Sequence, residues 1–387
     1  MTTLFDSATC VRALLDDFRR YDQAVDIVSA WECFFTRTEI RKSLQFFDRF
    51  PKLKVPGQSQ EYTPEFAACF GQSYGLLGEV KRTFPRGDQQ FDKELRQLQN
   101  YDQPLLFKRD QDETVVPSHH DILLIVSLED SHAILRRIQE RIEDGGHSFK
   151  LQHSNLILVE YHYDSLVTEP RYVFRKVAEQ SSDFRDNALP PEHRLSALLT
   201  QNRQSIKVPP ERLQEIKATW IFCNDDPPPI FTVVFLWTKV FYDLLSEQQK
   251  QQWRTADPRK VLEIKTGIPE IRHVVTTKYV ARGSWTRWIK EAIDALAEAG
   301  MARYVNNNDC YVGYRNLSGE LRLPGVVRTP DEPRIDDTAR ILATYICRGR
   351  LQSHPKTTEA PPGQQTMEFE KSKKEAAPPS TGGGNEK

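Results

Sequence analysis

Glu79-Val80-Lys81 closes an apolar run, Tyr74 to Lys81, with the texture of a strand. Side chains two apart on a strand point to the same face, so this reading puts a carboxylate and an ammonium side by side. Pro64-Glu65 lies fourteen residues upstream of Glu79, ahead of a second strand-like run, Phe66 to Phe70. Gly71-Gln72-Ser73 reads as the turn between the two runs. Antiparallel pairing about that turn sets position 65 opposite about position 80, which brings the Glu65 and Glu79 carboxylates within reach of one ion. Gln97 and Tyr101, four apart on the helix expected over Phe91 to Leu105, can face the same point. Mg²⁺ (or Mn²⁺) suits such a donor set: it takes oxygen ligands, commonly one or two carboxylates, and keeps waters for a phosphate substrate. An ion so held stabilises the charge of a phosphodiester transition state and orients the attacking water. A lysine beside it can hold the phosphate or act on that water.

The tripeptide alone is a cheap signal, because Glu215-Ile216-Lys217 and Glu263-Ile264-Lys265 repeat it. Glu215 follows Pro209-Pro210-Glu211-Arg212-Leu213, a helix start that separates its two charges. Glu263 has an acid only six residues upstream, at Asp257, too close for a strand-turn-strand arrangement. The plain alternative at Glu79 is a strand-end ion pair beside a solvated helix, which stabilises little. That alternative explains each piece but not the register that gathers them.

The elements that must position these groups are legible in outline. Residues 1 to about 50 read as helices, with Val11, Leu14, Leu15 and Phe18, then Ile40, Leu44 and Phe47, at helical spacing. Asp121 to Leu128 is apolar on both faces, as suits the centre of a sheet. A helix follows from Ser131 to Glu143, stopped by Gly145-Gly146, and then a strand from Asn155 to Tyr163. The expected fold class is therefore α/β, a central mixed sheet flanked by helices.

Composition bounds the rest. The chain has 387 residues, 39% hydrophobic and 28% charged, with a formal net charge of −1. Its longest apolar stretches, such as Val233 to Trp237, are too short to span a bilayer. The opening MTTLFDSATCVRALLDDF lacks a basic region before an apolar core, so no secretory signal is expected. Six cysteines are scattered without a Cys-x-x-Cys pair; this argues against a zinc ribbon or a disulfide framework and suits a reducing cytoplasm. From Arg259 to Arg328 there are 12 Lys/Arg against 7 Asp/Glu, a basic balance compatible with a phosphate-facing module.

Pro64-Glu65, Glu79-Val80-Lys81 and Gln97-Leu98-Gln99-Asn100-Tyr101 together resemble the PD-(D/E)xK nuclease superfamily, in its branch with a downstream Q-x-x-x-Y helix motif. The resemblance covers about residues 35 to 130. It implies a restriction-endonuclease-like core in which Glu65 and Glu79 hold metal, Lys81 acts on the water or the phosphate, and Gln97 and Tyr101 support the site. The preceding helix of that fold often adds a glutamate, for which Glu39 is the nearest candidate. Glu65 stands where the family usually has aspartate, which leaves room for an inactive descendant.

Further along, Trp285, Trp288, Ile289, Ala292, Ile293 and Leu296 make one apolar face of a helix between Ser284 as N-cap and Gly300 as stop. Met301 to Arg315 then reads as a hairpin turning at Asn306 to Asp309. A helix followed at once by a hairpin looks like the last helix and wing of a winged helix-turn-helix domain. The helices expected before it are Thr232 to Trp253, Pro258 to Thr266 and part of Pro269 to Tyr279. Arg282, Arg287, Lys290, Arg303 and Arg315 are the candidate nucleic-acid contacts, opposed by Glu291, Asp294 and Glu298. In Ser118-His119-His120-Asp121 the adjacent histidines point to opposite faces of a strand and make a poor metal pair.

The expected organisation is a helical extension (1–34), a nuclease-like domain (35–175), a connector with short helices (176–229), a winged-helix-like domain (230–328), a C-terminal helix (329–354) and a disordered tail (355–387). The expected function is metal-dependent hydrolysis of nucleic acid, DNA above RNA, in restriction or defence. A homodimer or a protein complex is compatible with it, and a membrane is not. The rival is a catalytically inactive nuclease-fold protein that binds DNA or protein.

Overall fold

The computed structural model describes residues 7–37, 39–70, 74–81, 84–108, 114–143, 149–164, 171–177, 206–208, 222, 225–255, 261–279, 285–315, 317 and 337–353. The expected turn at Gly71–Ser73, the Gly145-Gly146 stop, the Ser284 cap, most of the connector, Arg282 and the tail from 355 lie outside these residues.

Helix α1, Ser7–Arg37, contains neither glycine nor proline and runs 31 residues, about 46 Å at 1.5 Å per residue. Its two halves serve different cores. Leu15, Phe18, Tyr21, Ala24 and Val25 pack with elements from the C-terminal part of the chain. Val28, Trp31, Phe34 and Phe35 pack on one face of the main sheet. After the short 3-10 turn Glu39–Lys42 comes β1, Leu44–Arg49, where helical spacing was expected. The helical reading fails there because the adjacent Phe46 and Phe47 go to opposite faces of a sheet, a distribution that three apolar positions cannot separate from a helical stripe.

A two-strand ribbon, β2 (Leu53–Lys54) with β3 (Glu61–Tyr62), leads into β4 (Phe66–Phe70) and β5 (Tyr74–Lys81). Helix α2, Asp88–Asn100, a second ribbon of β6 (Phe107–Lys108) and β7 (Thr114–Val115), β8 (His119–Ser127) and α3 (Leu128–Glu143) follow. The sheet is completed by β9 (Leu156–Asp164), β10 (Arg171–Lys176) and, from within the stretch expected as connector, β11 (Ile206–Val208). Its order is β1-β4-β5-β8-β9-β10-β11. β5, β8 and β9 are parallel and the outer pairs are antiparallel. β8 explains the doubly apolar run: Leu123 and Ile125 face the core under α1, while Ile122, Leu124 and Val126 face the core under α2 and α3. The architecture is α/β, a mixed sheet covered by helices on both faces.

In the C-terminal part, α4 (Pro229–Phe235) starts with proline in its first turn. It continues through a π turn, Leu236–Val240, into α5 (Phe241–Leu244) and α6 (Glu247–Thr255). Then come β12 (Leu262–Gly267), α7 (Ile268–Lys278), α8 (Trp285–Glu298), β13 (Ala302–Tyr304), β14 (Asp309–Tyr314) and α9 (Asp337–Ser353). Residues 262–266 fell within the helix expected over Pro258 to Thr266. They form a strand because burial alternates: Leu262, Ile264 and Thr266 are buried, Glu263 and Lys265 exposed. β12, β14 and β13 make an antiparallel sheet in that order. Gly300, at φ +69°, ends α8 in the left-handed conformation that favours glycine.

The core of this part includes α1 residues at one end of the sequence and Ala339, Leu342 and Ile346 of α9 at the other. Cys10 of α1 and Cys347 of α9 are joined by a disulfide, a bond that the expectation of no disulfide framework did not foresee. Sequence spacing gave no sign of it, since the two lie 337 residues apart. Among the described residues no helix is long and apolar enough to cross a membrane.

Candidate active site

The β4–β5 register decides whether two carboxylates meet. Phe66 pairs with Gly78, and the Glu65 N–H donates to the Gly78 carbonyl at 3.0 Å. Glu65 thus stands opposite Glu79, one residue from the expected partner position. Both are buried, at 5% and 4% exposure, on the sheet face that α2 covers. Gly78 holds this register open on the other face: a Cβ there would lie 2.1 Å from the Phe66 ring, so any side chain would force the ring or the strand to move.

Five polar side chains close into one network at the end of β5. The Gln97 amide donates to Glu79 Oε1 at 2.9 Å and the Tyr101 hydroxyl donates to Glu79 Oε2 at 3.0 Å. Gln97 Nε2 also lies 3.1 Å from the Tyr101 hydroxyl. Lys81 Nζ donates to Gln97 Oε1 at 2.9 Å and forms ion pairs with Glu79 Oε1 at 2.9 Å and Glu94 Oε2 at 2.7 Å. Helical spacing on α2 makes this possible, for Glu94, Gln97 and Tyr101 lie at i, i+3 and i+7 on one stripe, while Phe91, Leu95 and Leu98 anchor the helix to the sheet.

Burial pushes the Glu79 carboxyl above its ordinary range, and the Lys81 ammonium and the Tyr101 hydroxyl pull it back only in part. For Lys81, burial alone would lower the pKa, but the Glu79 and Glu94 carboxylates outweigh it and hold the amine above the usual lysine range. Burial and then Glu79 raise the Tyr101 phenol, which stays protonated as a donor. A lysine so placed is a fixed cation, suited to a phosphate or an oxyanion rather than to taking a proton from water.

The network opens into a cleft of about 430 Å³. One wall is Glu65, Glu79, Lys81 and Gln97; the other brings Asp17, Arg20 and Tyr21 from α1, and Asp225 and Asp226 from the segment before α4. The Tyr21 hydroxyl donates to the Asp225 carbonyl at 3.1 Å. Trp288 Nε1 donates to Asp226 Oδ1 at 3.1 Å, and Arg287 pairs with Asp226 Oδ2. None of these far-wall residues is legible as a site in sequence: they are ordinary polar positions on amphipathic or loop segments, brought in by the crossing of α1. Glu94 had a readable signal, being three residues before Gln97 on the same helix.

Two carboxylates suit an ion that keeps waters. Among the described residues no group of three His, Cys, Asp or Glu could hold a metal by itself. Glu39 begins the turn before β1, and its side chain is outside the described residues. The acid that the preceding helix does bring to the cleft is Asp17.

The expected nucleic-acid contacts are not gathered into a cationic face. Arg287 pairs with Asp226 and lies 3.7 Å from Glu291. Arg303 pairs with Glu263 at 3.1 Å and stacks on Tyr311. Arg315 sits over the Tyr345 ring, Lys290 is exposed, and Arg282 is not described.

Neither a protein-family model, nor a curated protein, nor a solved structure matches this chain.

Proposed function

We propose that the protein is a metal-dependent hydrolase of nucleic-acid phosphodiester bonds, DNA above RNA, of the PD-(D/E)xK kind. The observation that carries this reading is the opposition of Glu65 and Glu79 across an antiparallel strand pair, with Lys81, Gln97 and Tyr101 tied to Glu79 and all but Tyr101 lining one cleft.

Glu65 and Glu79 would hold Mg²⁺ or Mn²⁺. The donor set fits: Glu79 accepts three of the roughly four bonds a carboxylate can take, which leaves a lone-pair direction, and Glu65 adds a second buried carboxylate. When bound, the ion supplies charge neutralisation for the phosphate and a more acidic water. The chain's own groups do the rest. Lys81 offers a permanent cation to the non-bridging phosphate oxygens. Gln97 and Tyr101 fix the Glu79 carboxylate in one orientation and stay neutral while doing so. The cleft walls hold most bulk water away from the two carboxylates.

The order helix, β12, α7, α8, β13, β14, with its antiparallel sheet, supports reading the C-terminal part as a winged-helix-like module. Because Arg287 and Arg303 are engaged within the chain, that module is better suited to bracing the far wall of the cleft, through Arg287 and Trp288 on Asp226, than to reading a DNA groove. A role in restriction or defence would follow from the activity.

The test is a cleavage assay on plasmid, linear duplex, single-stranded DNA and RNA with Mg²⁺, Mn²⁺ or EDTA. Cutting is expected only with metal and is expected to vanish in Glu79→Ala and Lys81→Ala preparations. Cutting that survives both substitutions, or no cutting of any substrate with either metal, would sink the reading.

A further inference from the structure

Helix α2 turns Glu94 and Gln97 to the cleft, and its exposed outer side, adjoining that stripe, lines a second groove, of about 690 Å³. Gln89, Gln90, Lys93 and Arg96 line it as exposed residues and Leu95 and Phe149 as buried ones, and Gln99 and the Asp92 carboxylate line it too. The charges around it are unevenly spent. Asp88 pairs with Arg137 at 3.1 Å and Arg141 at 2.8 Å, and Asp92 pairs with Arg141 at 2.8 Å. Glu94 is spent on Lys81. All three carboxylates of α2 are therefore engaged, by cations of α3 and β5, while Lys93 and Arg96 are exposed and have no carboxylate partner among the described residues. Lys93 lies four residues before Gln97, so it is the next side chain along the helix from the cleft. Two unspent cations, on the helix that also carries Glu94 and Gln97 and flanked by exposed amides, suit a chain of phosphates with polar sugar edges.

We propose that this outer stripe of α2 is a second binding site, for the phosphate backbone of nucleic acid, and that it holds the strand that leaves the cleft over Gln97. The proposal rests on the nuclease reading for the direction of the strand, but the binding itself does not need cleavage. The two cations contact successive phosphates, and Gln89 and Gln90 donate to phosphate or sugar oxygens. This is backbone positioning, without base preference.

The test is fluorescence anisotropy of the full chain with a labelled 20-nucleotide single strand and a duplex of the same length, in EDTA, over a salt series. Lys93→Ala/Arg96→Ala keeps good helix formers at both positions, and a thermal melt confirms its fold. It should bind about tenfold more weakly, with a salt slope shallower by roughly 1.4–1.8 for two lost phosphate contacts. Lys176→Ala/Lys207→Ala, on β10 and the edge strand β11 at the far side of the sheet, removes equal charge and should leave both values unchanged. Wild-type affinity and slope in the α2 variant, or an equal loss in the control, would overturn the proposal. If the wild type cuts with Mg²⁺ while the α2 variant binds normally, the groove falls and the nuclease reading stands. If groove-dependent binding occurs without any cutting, the nuclease reading falls and the groove stands. If the wild type neither binds nor cuts, both fall.

Discussion

The two ends of the parallel pair β5–β8 each carry a buried acid in a hydrogen-bond network, and they differ in what is left over. At the start of the strands, Asp121 is fully buried. It accepts from the Tyr74 hydroxyl at 3.0 Å, the Asn155 N–H at 3.0 Å and the Asn155 amide at 2.9 Å, with His119 Nε2 at 2.7 Å. Beside it His120 Nε2 lies 2.7 Å from the Tyr101 carbonyl and 3.1 Å from Ser154 Oγ, and Asp102 accepts the N–H groups of Gln152, His153 and Ser154. At the far end of the strands, Glu79 accepts three bonds and faces a cleft. A carboxylate with no exposed surface, ringed by its own chain's donors, holds loops together; one that lines a cleft can bind something. Residue type and burial are nearly the same at the two ends, so accessible volume separates structure from candidate chemistry.

The largest expected effect comes from exchanging charge for amide at the open end. Glu79→Gln, and separately Glu65→Gln, should lower metal-dependent cleavage by about 10³-fold or more, roughly 4 kcal/mol of barrier, with an unfolding midpoint in urea no lower than wild type. A parallel loss of stability would erase the contrast between the ends. Next, Asp121→Ala strands several buried donors and should cost about 3 kcal/mol of unfolding free energy, while cleavage per folded molecule stays at the wild-type level. Chemical denaturation and single-turnover assays on the same preparation read both quantities. Tyr101→Phe removes one hydrogen bond that orients Glu79 and should reduce cleavage or metal affinity about tenfold; no change in either would make Tyr101 a packing residue.

The smallest effect is a pH dependence at the closed end. Burial lowers the His120 pKa below its ordinary 6.5. The unfolded chain therefore binds the proton more readily, so this group's contribution is fully present above about pH 6.5 and is lost as pH falls toward the folded value. Wild type should lose stability between pH 7 and 5 more steeply than His120→Asn, measured as urea midpoints across that range. Equal slopes would locate the acid sensitivity elsewhere.

Local pattern was enough to read the polar cluster in β5 and α2. Glu79 and Lys81 share a face by strand period, Gln97 and Tyr101 share a stripe by helix period, and both readings require only neighbours in sequence. The Glu65 partnership was legible through hairpin arithmetic to within one residue. Residues 44–49 and 262–266 were misread as helix because short amphipathic runs fit both periods, and pairing with β4 and β14 chose between them. The Cys10–Cys347 bond and the cleft's far wall left no trace in spacing.

Sequence by itself therefore determined which side chains could act together within one strand or one helix, since backbone periods of two and 3.6 hold wherever the element forms. Only the tertiary structure decided that β12 is a strand, that α1 joins two cores, that Asp17 and Asp225 face Glu79 across a cleft, and that Asp121 is sealed while Glu79 is open. Those are contacts between residues far apart in the chain. They are set by which apolar faces must be buried against one another, and local periodicity carries no term for that.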